Sequence, residues 1–252
     1  MKRLQRQRDR RDEAADSDVV LVHSSDLHVD TDYTALLHGG DGTWGLRCVL
    51  DTARELGADV VLLAGDMFEN NRLPDDVVRR AADLIDGFGR PVVILPGNHD
   101  PAVDQSAHHR AGLAEIDHVA VLGITHRSAV RFPELELEVW GRAHRDYDDM
   151  SPLGAARKRR SRWQIAMAHG HYAARPDRST PYRPSWLISA AELAAVSADY
   201  VALGHWNRPA RVGGAAVKAW YSGAPETART VNRIRLTPAG QTIVARKPIR
   251  WR

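Results

Sequence analysis

The sequence predicts an α/β fold in which a parallel sheet carries the functional site. Before Pro96, three apolar runs rich in Val, Ile and Leu alternate with two amphipathic helical patterns. This βαβαβ order implies parallel strands joined by right-handed crossovers. The 252 residues, of which 43% are apolar, suit one large domain with a substantial core. We expect residues 1–17 to be a disordered basic tail and residues 18–252 to form the domain.

The first half of the chain contains the clearest elements. Uninterrupted apolar runs predict strands at 18–24, 59–63 and 91–95, each buried on both faces. Amphipathic periodicity predicts helices at 44–56 and 75–88. The other expectations for this half are a loop over 31–43, a helix over 102–116 and a short strand over 118–122.

The second half is dominated by strands. Alternation of polar and apolar residues over 130–142 predicts a sheet with one solvated face. A polar loop over 146–162 follows. The remaining predictions are strands at 163–168 and 200–203, a helix at 186–196, and antiparallel strands over 217–251 with a turn near Pro238 and Gly240.

Five of the predicted strands end in Asp, Asn or His. These endings are Asp26 with His28, Asp66, Asn98 with His99, His169, and His205 with Asn207. Ligands of α/β sheets bind outside the carboxyl ends of the strands, so we expect these side chains to converge. Oxygen and imidazole ligands suit Mn, Fe or Zn better than Ca. Because there are too many ligands for one ion, the pattern predicts two ions that share Asp66, an arrangement that serves phosphoester hydrolysis through an activated hydroxide.

The motifs DLH, GDMFEN, LPGNHD, AHGH and LGHW, in this order, resemble those of calcineurin-like metallophosphoesterases. The resemblance spans residues 18–226 and implies a four-layer α/β/β/α sandwich of two mixed sheets, with the site at the C-terminal strand ends. Within that superfamily, GDMFENNR and DYVALGHWNRP look most like SbcD-type nuclease subunits of DNA double-strand-break repair. That likeness implies a phosphodiester substrate such as DNA and an SMC-like ATPase partner.

The resemblance also implies a role for each motif residue. Asp26 and His28 would hold the first metal, Asp66 would bridge, and Asn98, His169 and His205 would hold the second. His99 would protonate the leaving alkoxide, which suits an imidazole. Two positions depart from the family pattern: Asn207 stands where His is usual, and Glu69 stands where the nucleases often have His. Asn207 still offers an oxygen to the first metal. Mn is the expected ion, with Fe or Zn as alternatives.

These observations favour a di-metal phosphodiesterase acting on nucleic acid, ahead of small cyclic or nucleotide diesters. A phosphomonoesterase is one alternative. A catalytically impaired module that binds phosphate or nucleic acid is another, because Asn207 replaces a stronger ligand. Cys48 is the only cysteine, which fits a reducing cytoplasm, and no apolar run is long enough to predict a membrane segment.

Several charged or ionisable residues outside the motifs remain to be placed. We interpret His23 as a core residue, prefer His169 to His171 as the ligand, and expect His108 and His109 at the surface. His144 could face the crevice or not. The basic run formed by Arg157, Lys158, Arg159, Arg160 and Arg162 suits a solvated loop, a nucleic-acid contact, or pairing with Asp146, Asp148 and Asp149.

Overall fold

The computed structural model describes residues 17–154, 157–177, 179, 184–215 and 217–251. Apart from Ser17, the predicted N-terminal tail lies outside these residues. The strands are β1 Val19–Ser24, β2 Val60–Ala64, β3 Val92–Leu95, β4 Val119–Val121, β5 Ala129–Phe132, β6 Leu137–Gly141, β7 Trp163–His169, β8 His171–Tyr172, β9 Leu187–Ile188, β10 Tyr200–Gly204, β11 Ala210–Val212, β12 Ala219–Tyr221, β13 Thr230–Leu236 and β14 Thr242–Pro248. The α-helices are α1 Tyr33–Leu37, α2 Trp44–Glu55, α3 Asp75–Phe88, α4 Ala190–Ala195 and α5 Pro225–Ala228.

Two six-stranded sheets form the centre of the molecule. The first has the strand order β14-β13-β1-β2-β3-β4, and the second has the order β11-β12-β10-β7-β6-β5. In the first sheet β1 to β4 are parallel, whereas β13 pairs antiparallel with both of its neighbours, β1 and β14. In the second sheet the four inner strands are parallel and the two edge strands are antiparallel. Both sheets are therefore mixed, as expected.

Apolar side chains pack in three layers around and between the sheets. Leu62 and Val93 of the first sheet meet Ile165 and Met167 of the second in the middle layer. Helices α2 and α3 cover the outer face of the first sheet, and the outer face of the second packs against Leu193 of α4 and neighbouring loops. The four-layer α/β/β/α sandwich is confirmed, with a thin fourth layer. Over the described ranges, the helices are all too short or too polar to traverse a bilayer.

The predicted helix over 102–116 is wrong. Two single turns of 3-10 helix, Ala107–His109 and Leu113–Glu115, occupy the segment. Ala111 and Gly112 adopt φ of 56° and 84°, and this left-handed backbone interrupts any continuous helix. His108 is buried rather than at the surface, and its Nε2 lies 3.1 Å from an Asp100 carboxylate oxygen.

Two other predicted segments differ from the structure because of local hydrogen bonds. The predicted loop over 31–43 contains α1, because the Asp30 carboxylate accepts the backbone N–H groups of Thr34 and Ala35 at 2.9 and 3.0 Å. The helix predicted over 186–196 begins only at Ala190. Ser189 precedes it as the N-cap and forms a capping box with Glu192.

The predicted solvated face of β6 is also wrong, since all five residues of β6 are buried. Glu138 is fully buried in this strand, and its carboxylate contacts the Arg157 guanidinium at 3.0 Å. Arg159 pairs with Asp199 at 2.8 Å, and Arg162 pairs with Glu136 at 3.4 Å. Much of the basic run is therefore fastened to the second sheet by ion pairs, and not to the three aspartates that precede it.

A candidate metal centre at the strand ends

Strained backbone is concentrated at the predicted ligands. Among the described residues, nine other than glycine have positive φ, and four of these are Asp26, His28, Asp66 and His205. Such conformations cost on the order of 1–3 kcal/mol each and cluster at functional sites. The loops are tied together by backbone hydrogen bonds, with the Asp26 N–H donating to the Gly65 carbonyl at 3.0 Å and the His28 N–H donating to the Asp66 carbonyl at 3.1 Å. The strain thus turns the side chains after β1, β2 and β10 toward one another.

One ligand group surrounds His169. Its Nε2 lies 3.0 Å from Asp66 Oδ2 and 3.0 Å from Asn98 Oδ1. His205 Nδ1 lies 3.2 Å from the same Asn98 oxygen, and the ligand atoms of Asp66, His169 and His205 all lie within 4.8 Å of one another. The four residues predicted for the second metal and the bridge are therefore together in space.

Asp66 belongs to a second group as well. Ligand atoms of Asp26, His28 and Asp66 also lie within 4.8 Å of one another. The backbone N–H of His205 donates to Asp26 Oδ1 at 3.0 Å, which fixes that carboxylate. Asn207 is exposed and lines the same cavity as Asp26 and His28. A carboxylate shared by two groups of donors is the arrangement that the sequence pattern predicts.

The electrostatics of the site fit divalent cations. Burial would raise the pKa of both aspartates, but His169 holds the pKa of Asp66 well below its usual range, while the pKa of Asp26 stays raised. Burial would lower the pKa of His169, yet Asp66 and Asp26 raise it to about 9. The proton on His169 thus supplies the positive charge that two buried carboxylates require. Metal binding would displace that proton, and the imidazole and oxygen donors suit Mn, Fe or Zn.

His99 lies at the mouth of the site rather than among the ligands. Its backbone N–H donates to Asp66 Oδ1 at 2.9 Å, and its ring Nδ1 donates to the Glu69 carbonyl at 3.0 Å. The side chain is 40% exposed. It lines an open cavity of about 570 Å³ with Asn98 and Tyr147. The ring can therefore reach a substrate while its backbone stays bound to the bridging aspartate.

Sequence reasoning left two other contributors unassigned. Glu69 Oε2 lies 2.8 Å from His28 Nδ1, although the sequence marked Glu69 only as a departure from the family pattern. His144 is buried, and its Nε2 donates to the His169 carbonyl at 2.9 Å. Burial, with a further contribution from His169, lowers the pKa of His144 to about 4, so it supports the ligand strand as a neutral ring. The advance signals for Glu69 are this departure and its position in the loop that carries Asp66.

His171 and His23 are held by contacts outside the two ligand groups. His171 Nδ1 accepts a hydrogen bond from Trp206 Nε1 at 3.2 Å, and it is His169 that lies beside Asp66. His23 is fully buried, and its Nδ1 lies 2.9 Å from the Tyr200 hydroxyl. These contacts agree with the preference for His169 and with a core position for His23.

Comparison with known proteins agrees with this geometry. The calcineurin-like phosphoesterase family model matches residues 19–209. The chain is 27% identical over 213 residues to the DNA double-strand break repair protein Mre11 of Aeropyrum pernix, which covers 75% of this chain and 49% of that protein. It is 26% identical over 200 residues to the SbcD subunit of the SbcCD nuclease of Bacillus subtilis, with 66% and 51% covered. The chain thus spans about half the length of these curated relatives.

Solved structures share the fold at low identity. The protein TT1561 of Thermus thermophilus superposes with a TM-score of 0.55 at 11% identity, over 91% of this chain and 99% of that one. A second solved structure gives a TM-score of 0.56 at 12% identity, over 92% of this chain. The family match extends over most of the chain and includes all the residues of the centre. The chain therefore belongs to the calcineurin-like phosphoesterase family.

Proposed function

We propose that the chain hydrolyses phosphodiesters at a two-cation centre. The observation that carries the proposal is the position of Asp66, whose carboxylate belongs to both groups of ligand atoms. Asp26, His28 and Asn207 would hold one cation, and Asn98, His169 and His205 would hold the other. When bound, such a pair of cations lowers the pKa of a water molecule and offsets the charge of the phosphate.

Residues of the chain orient the ring of His99, and this ring supplies the proton for the leaving group. The Glu69 carbonyl accepts from His99 Nδ1 at 3.0 Å, and the Asp66 carboxylate accepts from the His99 backbone. These two bonds hold the exposed ring over the cavity that it shares with Asn98 and Tyr147. We assign His99 as the general acid that protonates the leaving oxygen of a substrate bound in that cavity.

The names of the two curated relatives, a DNA double-strand break repair protein and a subunit of a nuclease, favour DNA as the substrate class. The SMC-like ATPase partner that the family resemblance implies belongs to the same proposal. Since Arg157, Arg159 and Arg162 are engaged in ion pairs, phosphate contacts would come from other cations. Arg72 is exposed beside His99, and Arg208 is exposed next to Asn207. Each phosphate contact of this kind would make binding weaken with salt. A cytoplasmic location, expected from the single cysteine, belongs to the same proposal.

The test is a substrate panel with Mn²⁺. The purified chain, freed of metal and reloaded, is assayed with bis(p-nitrophenyl) phosphate, p-nitrophenyl phosphate, cyclic nucleotides and linear DNA. We expect diester turnover that Asp66→Asn abolishes, and that His99→Ala lowers by about 10²–10⁴-fold without loss of bound metal. Asp83→Asn removes an exposed carboxylate of helix α3 that lines neither cavity of the centre and should leave turnover unchanged. Turnover of the monoester alone would refute the diesterase proposal.

A further inference from the structure

Glu69 contacts two rings of the centre through different atoms. Its carboxylate Oε2 lies 2.8 Å from His28 Nδ1, and its backbone carbonyl lies 3.0 Å from His99 Nδ1. The two imidazoles meet edge to face with their ring centroids 4.9 Å apart. One residue therefore touches a predicted metal ligand with its side chain and the predicted general acid with its main chain.

The contact with His28 determines which ring nitrogen carries the hydrogen. The partner atom, Glu69 Oε2, belongs to a carboxylate, which can only accept a hydrogen bond. His28 Nδ1 must then be the donor. In the neutral ring this leaves the lone pair on Nε2, the atom free to ligate a cation shared with Asp26 and Asp66.

His169 also keeps its Nε2 available for a cation, but its Nδ1 donates to a backbone carbonyl instead of a carboxylate. Its Nδ1 donates to the Ala64 carbonyl at 2.9 Å, which leaves Nε2 facing Asp66 and Asn98. Ligand histidines in metal sites commonly donate their second N–H to a carbonyl or a carboxylate, which fixes the tautomer and makes the ring a stronger base. A carboxylate partner raises the basicity of the ring more than a neutral carbonyl, because it carries a full charge.

We propose that Glu69 is a positioning residue of the first cation site, whose carboxylate holds His28 with Nε2 available to the cation. This inference rests on the proposed two-cation centre. The site that it supports is the one in which Asn207 stands in place of the family's usual His. An anionic partner on His28 strengthens one donor at the site where the amide oxygen of Asn207 is a weaker one.

The same three side chains could instead bind a cation directly, since ligand atoms of His28, Glu69 and His99 lie within 4.8 Å of one another. The hydrogen bonds argue against that role, because both Nδ1 atoms already donate to Glu69. A ligand role would require His28 Nδ1 to lose its hydrogen. The two roles predict different stoichiometries, so titration with metal separates them.

The experiment compares Glu69→Ala and Glu69→Gln with Asp83→Asn, which removes one charge from the exposed face of helix α3, outside both cavities of the centre. Calorimetric titration with Mn²⁺ should show two equivalents in every variant. In Glu69→Ala one of the two sites should bind about 10–100-fold more weakly while the other is unchanged. Glu69→Gln keeps an acceptor oxygen and should lose less affinity, and Asp83→Asn should match the unmutated chain.

A second measurement does not depend on metal. Long-range ¹H–¹⁵N correlation spectra of the metal-free chain at alkaline pH should show His28 as the Nδ1–H tautomer, and as a mixture in Glu69→Ala. An unchanged tautomer together with unchanged affinities would overturn the inference, as would loss of a whole equivalent of Mn²⁺. Failure of the unmutated chain to bind Mn²⁺ would refute the two-cation centre, and with it the positioning role; the tautomer would still be measurable.

Discussion

Replacing Gly97 with alanine should dismantle the centre without unfolding the domain. A Cβ atom at this position would lie 2.2 Å from Asp66 Oδ1 and 2.5 Å from the Asp66 backbone nitrogen. Ordinary contacts of a carbon atom begin at about 3.5 Å, so about 1 Å of movement is required. Gly97 cannot easily retreat, because its N–H donates to the buried carboxylate of Asp100 at 2.7 Å. The Asp66 carboxylate must therefore turn away, and the Asp66 backbone must shift with it.

The consequences of Gly97→Ala can be measured separately. Overpacking of this kind costs about 1–3 kcal/mol, which chemical denaturation in EDTA would detect. Because Asp66 is shared by both ligand groups, calorimetry should show both Mn²⁺ sites weakened by at least about tenfold, or about 1.4 kcal/mol each. Gly87→Ala is the matched control, since its Cβ would meet nothing within 4 Å in helix α3. If Gly97→Ala binds two Mn²⁺ ions with unchanged affinity, the bridging role of Asp66 is wrong.

Three further predictions follow from other contacts. Burial lowers the pKa of His23 from 6.5 to about 3, so the unfolded chain binds a proton on this ring more tightly than the folded chain does. The free energy of unfolding should therefore fall as the pH drops from about 6.5 to about 3, by up to about 1.4 kcal/mol per pH unit. Chemical denaturation of His23→Gln over this range should show a weaker dependence of stability on pH. Arg157→Ala removes the nearer guanidinium from the carboxylate of buried Glu138 and leaves Arg131 at 3.7 Å. Urea denaturation should show a loss of about 1–3 kcal/mol in the free energy of unfolding. A comparable loss in Arg160→Ala, which changes an exposed residue, would show that the ion pair with Glu138 is not the cause. Asn207→His should tighten Mn²⁺ binding at one site in calorimetry, with a large gain in diester turnover if the native centre is impaired and little gain if it is fully active.

Much of the fold was predictable because the local pattern of apolar residues indicates where strands and helices form. The apolar runs that became β1, β2, β3, β7 and β10 are buried throughout, and the polar residue that follows each one marks the edge of the sheet. The sandwich, by contrast, was inferred from the family resemblance, because periodicity does not determine how two sheets face each other. The helix expected over 102–116 failed for a related reason. Its apolar residues pack in single turns on either side of a left-handed step at Ala111 and Gly112.

The candidate ligands were predictable one at a time, but not the contacts that hold them. Sequence alone placed Asp66, His169 and their companions at strand ends, where parallel strands must bring them to a common edge. Only the tertiary structure showed that Glu69 receives the N–H of His28 and that His144 lies beneath His169. Hydrogen-bond partners such as these are separated by tens of residues along the chain and lie on different loops. Their distances depend on how the two sheets pack and on left-handed backbone at single residues, and neither leaves a periodic trace in the sequence.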